Sequence, residues 1–385
     1  MAPYWQRTAR NLALVAVAGL GELPCRAATL AGDQACAACH ADKVRSFHET
    51  AHAKTSRLPS AEVIRGSFRA GANLLETANP SLAFVMEAVD GGFQLTAHMR
   101  TSPTQELSRS EKIGIVVGSG RKGQTFLYWD DDRLFQLPVS YWTDVDGWVN
   151  SPGYVDGTAD FDRPIVPRCL ECHSSSFQNI PPPENRYVAS SLVLGVSCER
   201  CHGPASEHVA LMRGKGTAGA AGDGIVNPAR LSRLRQLQVC ALCHNGGGEP
   251  LAPALSYQAG DDLAKYIAFG RWNPREHVDV HARQVPLLEA SRCFRSTKTM
   301  TCTTCHDVHT PQRDAASFVP KCLACHKPES CGEFAKSGHH IDSLCIDCHM
   351  PLQETGKIVS RVDGTTIRPK VRNHRIAIYP AEAAP

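Results

Sequence analysis

The 385-residue sequence predicts a mainly α and irregular fold of short helices, interrupted by one small antiparallel β insertion. Three observations lead there. Fourteen of the seventeen cysteines fall into seven copies of Cys-x-x-Cys-His, a spacing that suits one helical turn. The first two copies begin 133 residues apart, whereas later intervals are 29, 42, 62, 20 and 23. Few long apolar periodic runs occur between the motifs, so long amphipathic helices have little to build on.

The motifs are Cys36/Cys39/His40, Cys169/Cys172/His173, Cys198/Cys201/His202, Cys240/Cys243/His244, Cys302/Cys305/His306, Cys322/Cys325/His326 and Cys345/Cys348/His349. On one helical turn residues i, i+3 and i+4 share a face. Two thiols so placed reach the two vinyl groups of a single porphyrin and form thioethers, and the adjoining imidazole then lies beneath the iron. Zinc would pair two CxxC units or combine one with distant histidines, and has no need of a His directly after every second Cys. A disulfide scaffold explains an even number of cysteines but not the invariable His. The expected cofactor is therefore haem c, seven copies, covalently bound. Porphyrin is then expected to supply most of the core around the motifs.

Covalent attachment of this kind implies export. Arg7 and Arg10 precede an apolar run from Leu12 to Leu20, too short to span a bilayer, and small residues follow. Residues 1–31 read as a signal peptide, with cleavage near Ala27 or Ala31 and a periplasmic destination. The leader removes two net positive charges from the formal +3, and seven haems would add fourteen propionates. An acidic holoprotein gives no support for nucleic-acid binding. Cys25 lies in the leader region, which leaves Cys293 and Cys331 outside the motifs; in an oxidising compartment the expectation is one disulfide between them.

The long first gap carries the β signal. Leu82 to Ala88, Asp90-Gly91-Gly92 and Phe93 to Met99 read as a hairpin. Lys112 to Val117 and Thr125 to Tyr128 form a second pair, and a turn at residues 130–132 leads into Leu134 to Val139. The expected organisation is a first haem segment at 32–60, the β-rich insertion at 61–163 and haems two to four at 164–250. A helical connector at 251–300 and haems five to seven at 301–385 complete it. Trp129, Tyr141, Trp142 and Trp148 fall in the insertion and read as its core.

Ten histidines remain beyond the seven proximal ligands, against six methionines including Met1. That supply favours bis-histidine ligation and, without an axial Met to raise them, low potentials. His309 lies too close to His306 to reach the opposite face of the same iron, so it suits a neighbouring haem. His208, His374, His281 and one of His339 and His340, with His339 preferred, are further distal candidates. His52 is preferred to His48, while His98 and His277 read as ordinary surface or structural residues.

The string Val196-Ser-Cys-Glu-Arg-Cys-His-Gly-Pro-Ala-Ser-Glu-His208 resembles a haem motif of the tetrahaem cytochromes that accept electrons from hydroxylamine oxidoreductase. Ala35-Cys-Ala-Ala-Cys-His with Phe47 and His52 resembles that family's first haem segment, and Met300 to His309 resembles a doubled CxxCH domain. Cys345-Ile-Asp-Cys-His-Met-Pro351 with Asn373-His-Arg-Ile376 is similar to the terminal module of larger multihaem chains. The resemblance implies a multihaem cytochrome c of short helices around stacked haems, with distal roles for His52, His208, His309 and His374. It implies electron transfer, with other redox proteins as donor and acceptor and membrane association only through a partner. Every motif ends in His, which favours a carrier with no catalytic residue over an oxidoreductase working on a nitrogen or sulfur compound at one open haem.

Overall fold

The computed structural model describes residues 29–214, 223–270, 283–355, 359–362 and 364–379. The chain enters through α1 (Asp33–His48), which carries the first motif, and then turns into β structure. Two antiparallel sheets follow. One has five strands in the order β1 (Ser56–Arg57), β6 (Ile115–Val117), β7 (Gly123–Asp130), β8 (Arg133–Trp142) and β9 (Gly147–Asn150). The other has four, β2 (Leu74–Glu76), β3 (Leu82–Val89), β4 (Gly92–Ser102) and β5 (Gln105–Lys112).

Alternation sets the register. In β3 the side chains of Leu82, Phe84 and Met86 are buried and the intervening ones less so, as a strand with one covered face requires. Leu82 pairs with Met99 and Val89 with Gly92, closing the hairpin across Asp90 and Gly91; Gly91 takes a φ of +78°, open to glycine without a Cβ penalty. Asp130 pairs with Arg133 at the next tight turn. The two sheets share one core, in which Phe84, Phe126, Tyr128, Val139, Tyr141, Trp148 and Phe161 meet.

The outer side of the five-stranded sheet is the link to the motifs. Ile115, Leu127 and Leu134 pack with Ile165, Tyr187 and Leu170, the last lying inside the second motif. Tyr187 reinforces the join through its hydroxyl on Ile165 O at 2.7 Å and its N–H on Asp132 O at 2.8 Å. The second motif ends α2 (Pro167–His173), and the third ends α3 (Glu199–His202), which precedes α4 (Ser206–Met212). The fourth ends α5 (Arg233–His244), whose Leu237, Ala241 and Leu242 form a separate core with Tyr257, Leu263, Ile267 and Phe294.

The mainly α expectation is wrong. Helix accounts for 30% and strand for 25%, with several antiparallel sheets. The strands reach past the long insertion into the motif-rich part: Ser174–Ser176 pairs with Val193–Leu194, Glu249–Pro250 with Ile267–Ala268, Leu352–Glu354 with Lys370–Arg372, and Ser360–Val362 with Thr365–Ile367. Where the chain turns back on itself without room for a helix, two- or three-residue ladders satisfy its backbone. The expected disulfide is absent as well. Cys293 and Cys331 are free thiols; Cys293 lies near Cys305 and Cys322, and Cys331 near Cys345 and Cys348. Among the described residues no helix is long and apolar enough to cross a membrane.

Candidate haem sites

All seven motifs adopt a helical turn. In the third, fifth and sixth, the first cysteine's carbonyl accepts the N–H of the second cysteine (3.2, 3.2 and 3.1 Å) and of the histidine (3.0, 2.9 and 3.0 Å). Such a turn puts both thiols and the imidazole on one side. The motifs also approach one another. Thiols of Cys36 and Cys198, of Cys172 and Cys243, and of Cys240 and Cys302 lie close to one another across motifs.

Three of the fourteen motif cysteines are exposed. Cys39 of the first motif and Cys325 of the sixth are exposed, and so are His40 and His326 beside them. The reason is where their helical turns are anchored. In α1 the buried residues are Val44 and Phe47, beyond the motif, and in the helix Val319–Leu323 it is Val319, ahead of it. Neither anchor draws the second cysteine of the motif inward, so these two sites open at the protein surface. Cys169 is exposed over its own surface too, although burial of its thiol raises the pKa.

Three imidazole pairs form between distant parts of the chain. His244 faces His52 with ring centroids 6.0 Å apart, His202 faces His309 at 6.1 Å, and His306 faces His374 at 6.2 Å. Each pair joins a motif histidine to one outside the motifs. A metal–imidazole bond is about 2.0 Å and the ring centre lies roughly 1 Å beyond the nitrogen, so two imidazoles on one metal have centroids about 6 Å apart. The pairs fit an iron between them.

Their surroundings suit ligation. Burial pushes His244 and His374 down to about 4, and lowers His52, His306 and His309. An imidazole held neutral keeps a nitrogen lone pair to donate. His244, His52 and His306 nevertheless keep exposed surface of their own. Several rings have Nδ1 committed to a backbone carbonyl: His202 to Val226 O at 2.9 Å, His349 to Ala377 O at 2.8 Å and His374 to Arg372 O at 3.1 Å. Engaging Nδ1 this way leaves Nε2 as the metal-facing nitrogen.

Comparison with known proteins agrees with this geometry. Residues 154–203, which span the second and third motifs, match the family model of cytochrome c554 and c-prime. The crystal structure of the outer cell wall cytochrome OcwA superposes on 90% of this chain and 79% of its own, with a TM-score of 0.55 and 16% identity. The chain has the fold of a multihaem cytochrome c. An undecahaem cytochrome from the S-layer of Carboxydothermus ferrireducens covers 91% of this chain and 52% of its own, with 15% identity and a TM-score of 0.41. No functionally curated protein matches. The family match supports covalently bound haem c and electron transfer with redox-protein partners.

The remaining histidines are placed less uniformly. His173 meets Thr55 Oγ1 through Nδ1 at 2.8 Å, and its carbonyl accepts the Ser56 hydroxyl. His208 gives Nδ1 to Asp223 O at 2.8 Å. His339 is exposed beside Asp342 and Phe334, and His340 is exposed too. His48 sits at the end of α1 with Nε2 2.9 Å from Asp33, and His98 bonds Glu106 at 2.7 Å on a strand surface. His281 and His277 lie outside the described residues, as do Cys25 and most of the leader region. Sequence reasoning missed the acidic residues inside the motifs. Buried Glu199 accepts the N–H groups of Ala31, Gly32 and Ala205 at 2.8, 2.9 and 2.8 Å, and buried Glu171 pairs with Arg168 at 2.7 Å. A carboxylate between the two cysteines of a motif is the signal that was available.

Proposed function

We propose that this chain is an exported, periplasmic electron carrier holding seven covalently bound haems, one on each CxxCH motif. Haem supplies a one-electron iron couple when bound. The fourteen motif cysteines hold it, with Cys39 and Cys325 doing so at the surface. His40, His173, His202, His244, His306, His326 and His349 are the proximal ligands. His52 serves the fourth site, His309 the third and His374 the fifth. The three imidazole pairs at metal-spanning separation carry this reading.

Contacts between motifs support a conducting path. Cysteines of the first motif lie near those of the third, the third near the fourth, the fourth near the second and the fifth, the fifth near the sixth and the sixth near the seventh. Electron tunnelling falls exponentially with distance, so the order along the chain is one, three, four, five, six, seven, with the second branching from the fourth. Such a row needs a donor and an acceptor protein at its ends.

Intact mass of the full-length product from a host able to mature c-type cytochromes tests the stoichiometry; an excess of about seven haem masses is expected. A smaller excess would end the seven-site assignment, and peptide mapping at Cys39 and Cys325 would show whether the exposed sites are the empty ones. A catalytic reading needs one iron with an open position, and among the described residues the imidazole pairs involve only the third, fourth and fifth motifs. A high-spin ferric EPR signal together with turnover of nitrite, hydroxylamine or sulfite would favour it.

A further inference from the structure

We infer that Arg372, anchored on Asp347, is a positioning residue that sets ligands for two irons at once, an inference that rests on the ligand assignment proposed above. Residues 370–377 run back along the seventh motif as a strap. Arg372 Nη1 donates to Asp347 Oδ1 at 2.7 Å and to Met350 O at 3.1 Å, and the Arg372 backbone pairs with Leu352. Asp347 sits between the two cysteines of the seventh motif, so the anchor point is fixed by the same loop that thioethers would close.

The strap then reaches both ways. The Arg372 carbonyl accepts from His374 Nδ1 at 3.1 Å, leaving Nε2 for the iron on the His306 side, where the two rings stand 6.2 Å apart. Three residues on, Ala377 O accepts the Nδ1 proton of His349 at 2.8 Å, and Ala377 N donates back to His349 O at 3.2 Å. One short segment thus supplies the second imidazole of the fifth site and fixes the ring plane of the proximal ligand of the seventh. The Arg372 and Asp347 side chains are 24% and 40% exposed, so their Coulomb attraction is largely screened. Their contribution is geometric: a planar guanidinium spanning a carboxylate and a carbonyl fixes the direction in which the strap leaves the motif.

The test uses the full-length holoprotein with Arg372→Met, His374→Ala and, as a control on the same strap, Arg375→Met, whose side chain is exposed. Haem content is checked by mass, and each ferric form is read by EPR and potentiometric titration. His374→Ala is expected to convert about one haem in seven to high spin and leave the others alone. Arg372→Met should disturb that haem and also shift the potential of a second, while Arg375→Met should match the parent. Arg372→Met identical to the parent, or altering only the haem that His374→Ala alters, overturns the strap and leaves the ligand assignment standing. His374→Ala without spectral effect overturns both. If Arg372→Met does not accumulate, Asp347→Asn removes the anchor charge with little change of shape; the two-haem pattern is expected again, and its absence overturns the inference.

Discussion

His52 and His244 meet with ring planes 83° apart, whereas the His202–His309 and His306–His374 pairs lie within 27° and 25° of parallel. Crossed axial imidazoles leave the two upper t2g orbitals of a low-spin ferric iron nearly degenerate, and parallel ones split them. The fourth haem should therefore give a strongly anisotropic low-spin EPR signal, and the third and fifth rhombic ones. His52→Met should abolish the anisotropic signal alone and raise the potential of one haem, since an axial Met favours the ferrous state. Persistence of that signal in the variant would remove His52 from the fourth iron.

Gly195 provides an independent route to the same ligand. It adopts a φ of +76°, and a Cβ there would stand 2.2 Å from the carbonyl oxygen of Ala53, a backbone atom. The turn that presents His52 is held at this spot, with Val196 N donating to His52 O at 3.1 Å and Gly195 N to Ser56 Oγ at 2.9 Å. Gly195→Ala adds positive-φ strain of about 1–2 kcal/mol to a contact that only backbone movement relieves. The expected outcome is loss of the anisotropic signal seen also in His52→Met, with haem content unchanged. An unaltered spectrum would show that the turn tolerates the shift.

These two cases show what the sequence could reveal. The motifs were legible because thioether chemistry fixes a local spacing, and the Leu82–Met99 hairpin because alternation and a glycine turn are local too. The placing of His309 away from the iron beside His306 also rests on a local fact, since three residues cannot wrap an iron, and its ring does lie against His202 of another motif. Opposing partners were not readable: His244 finds His52, and His306 finds His374, through the tertiary fold alone. Nor does spacing tell a surface motif from an interior one, so the exposure of Cys39 and Cys325 had no signal in the motif itself. α1 stops at His48, so His52 is presented by the turn that follows and not by the helix of the first motif. The Cys293–Cys331 disulfide was inferred from two leftovers, without any evidence that they are close. Strand content was underestimated since ladders such as Glu249–Pro250 with Ile267–Ala268 are too short to leave a period in the sequence.

Glu199 ties down the segment just ahead of the first motif. Its carboxylate takes the N–H groups of Ala31 and Gly32, and Thr29 exchanges bonds with Ser206 through Oγ at 3.1 Å and backbone at 3.3 Å. Cleavage near Ala31 would cut through this junction, and cleavage near Ala27 leaves it whole. The amino terminus of the mature protein, read by intact mass, is therefore expected at or before Thr29. Glu199→Ala orphans three donors at about 1–3 kcal/mol each, so amide exchange at residues 31–32 should quicken by at least about tenfold. A mature start beyond residue 31 would refute the docking.

Arg168 joins the second and fourth motifs. It is 16% exposed and pairs with Glu171, 6% exposed, while its Nη2 donates to Leu242 O at 2.6 Å, two residues before His244. Removing one member of a largely buried pair leaves the other charge uncompensated, a loss of about 3 kcal/mol. Arg168→Met should lower the urea midpoint followed by haem absorbance. Arg168→Lys should recover only part of the loss, since an ammonium cannot reach the carboxylate and the carbonyl in the fixed directions of the guanidinium fork. The double variant Arg168→Met/Glu171→Gln should be less damaged than Arg168→Met, because the stranded carboxylate has gone with its partner. Strictly additive losses would mean that the two side chains act separately. In that case the Leu242 contact alone would tie the two haem helices together.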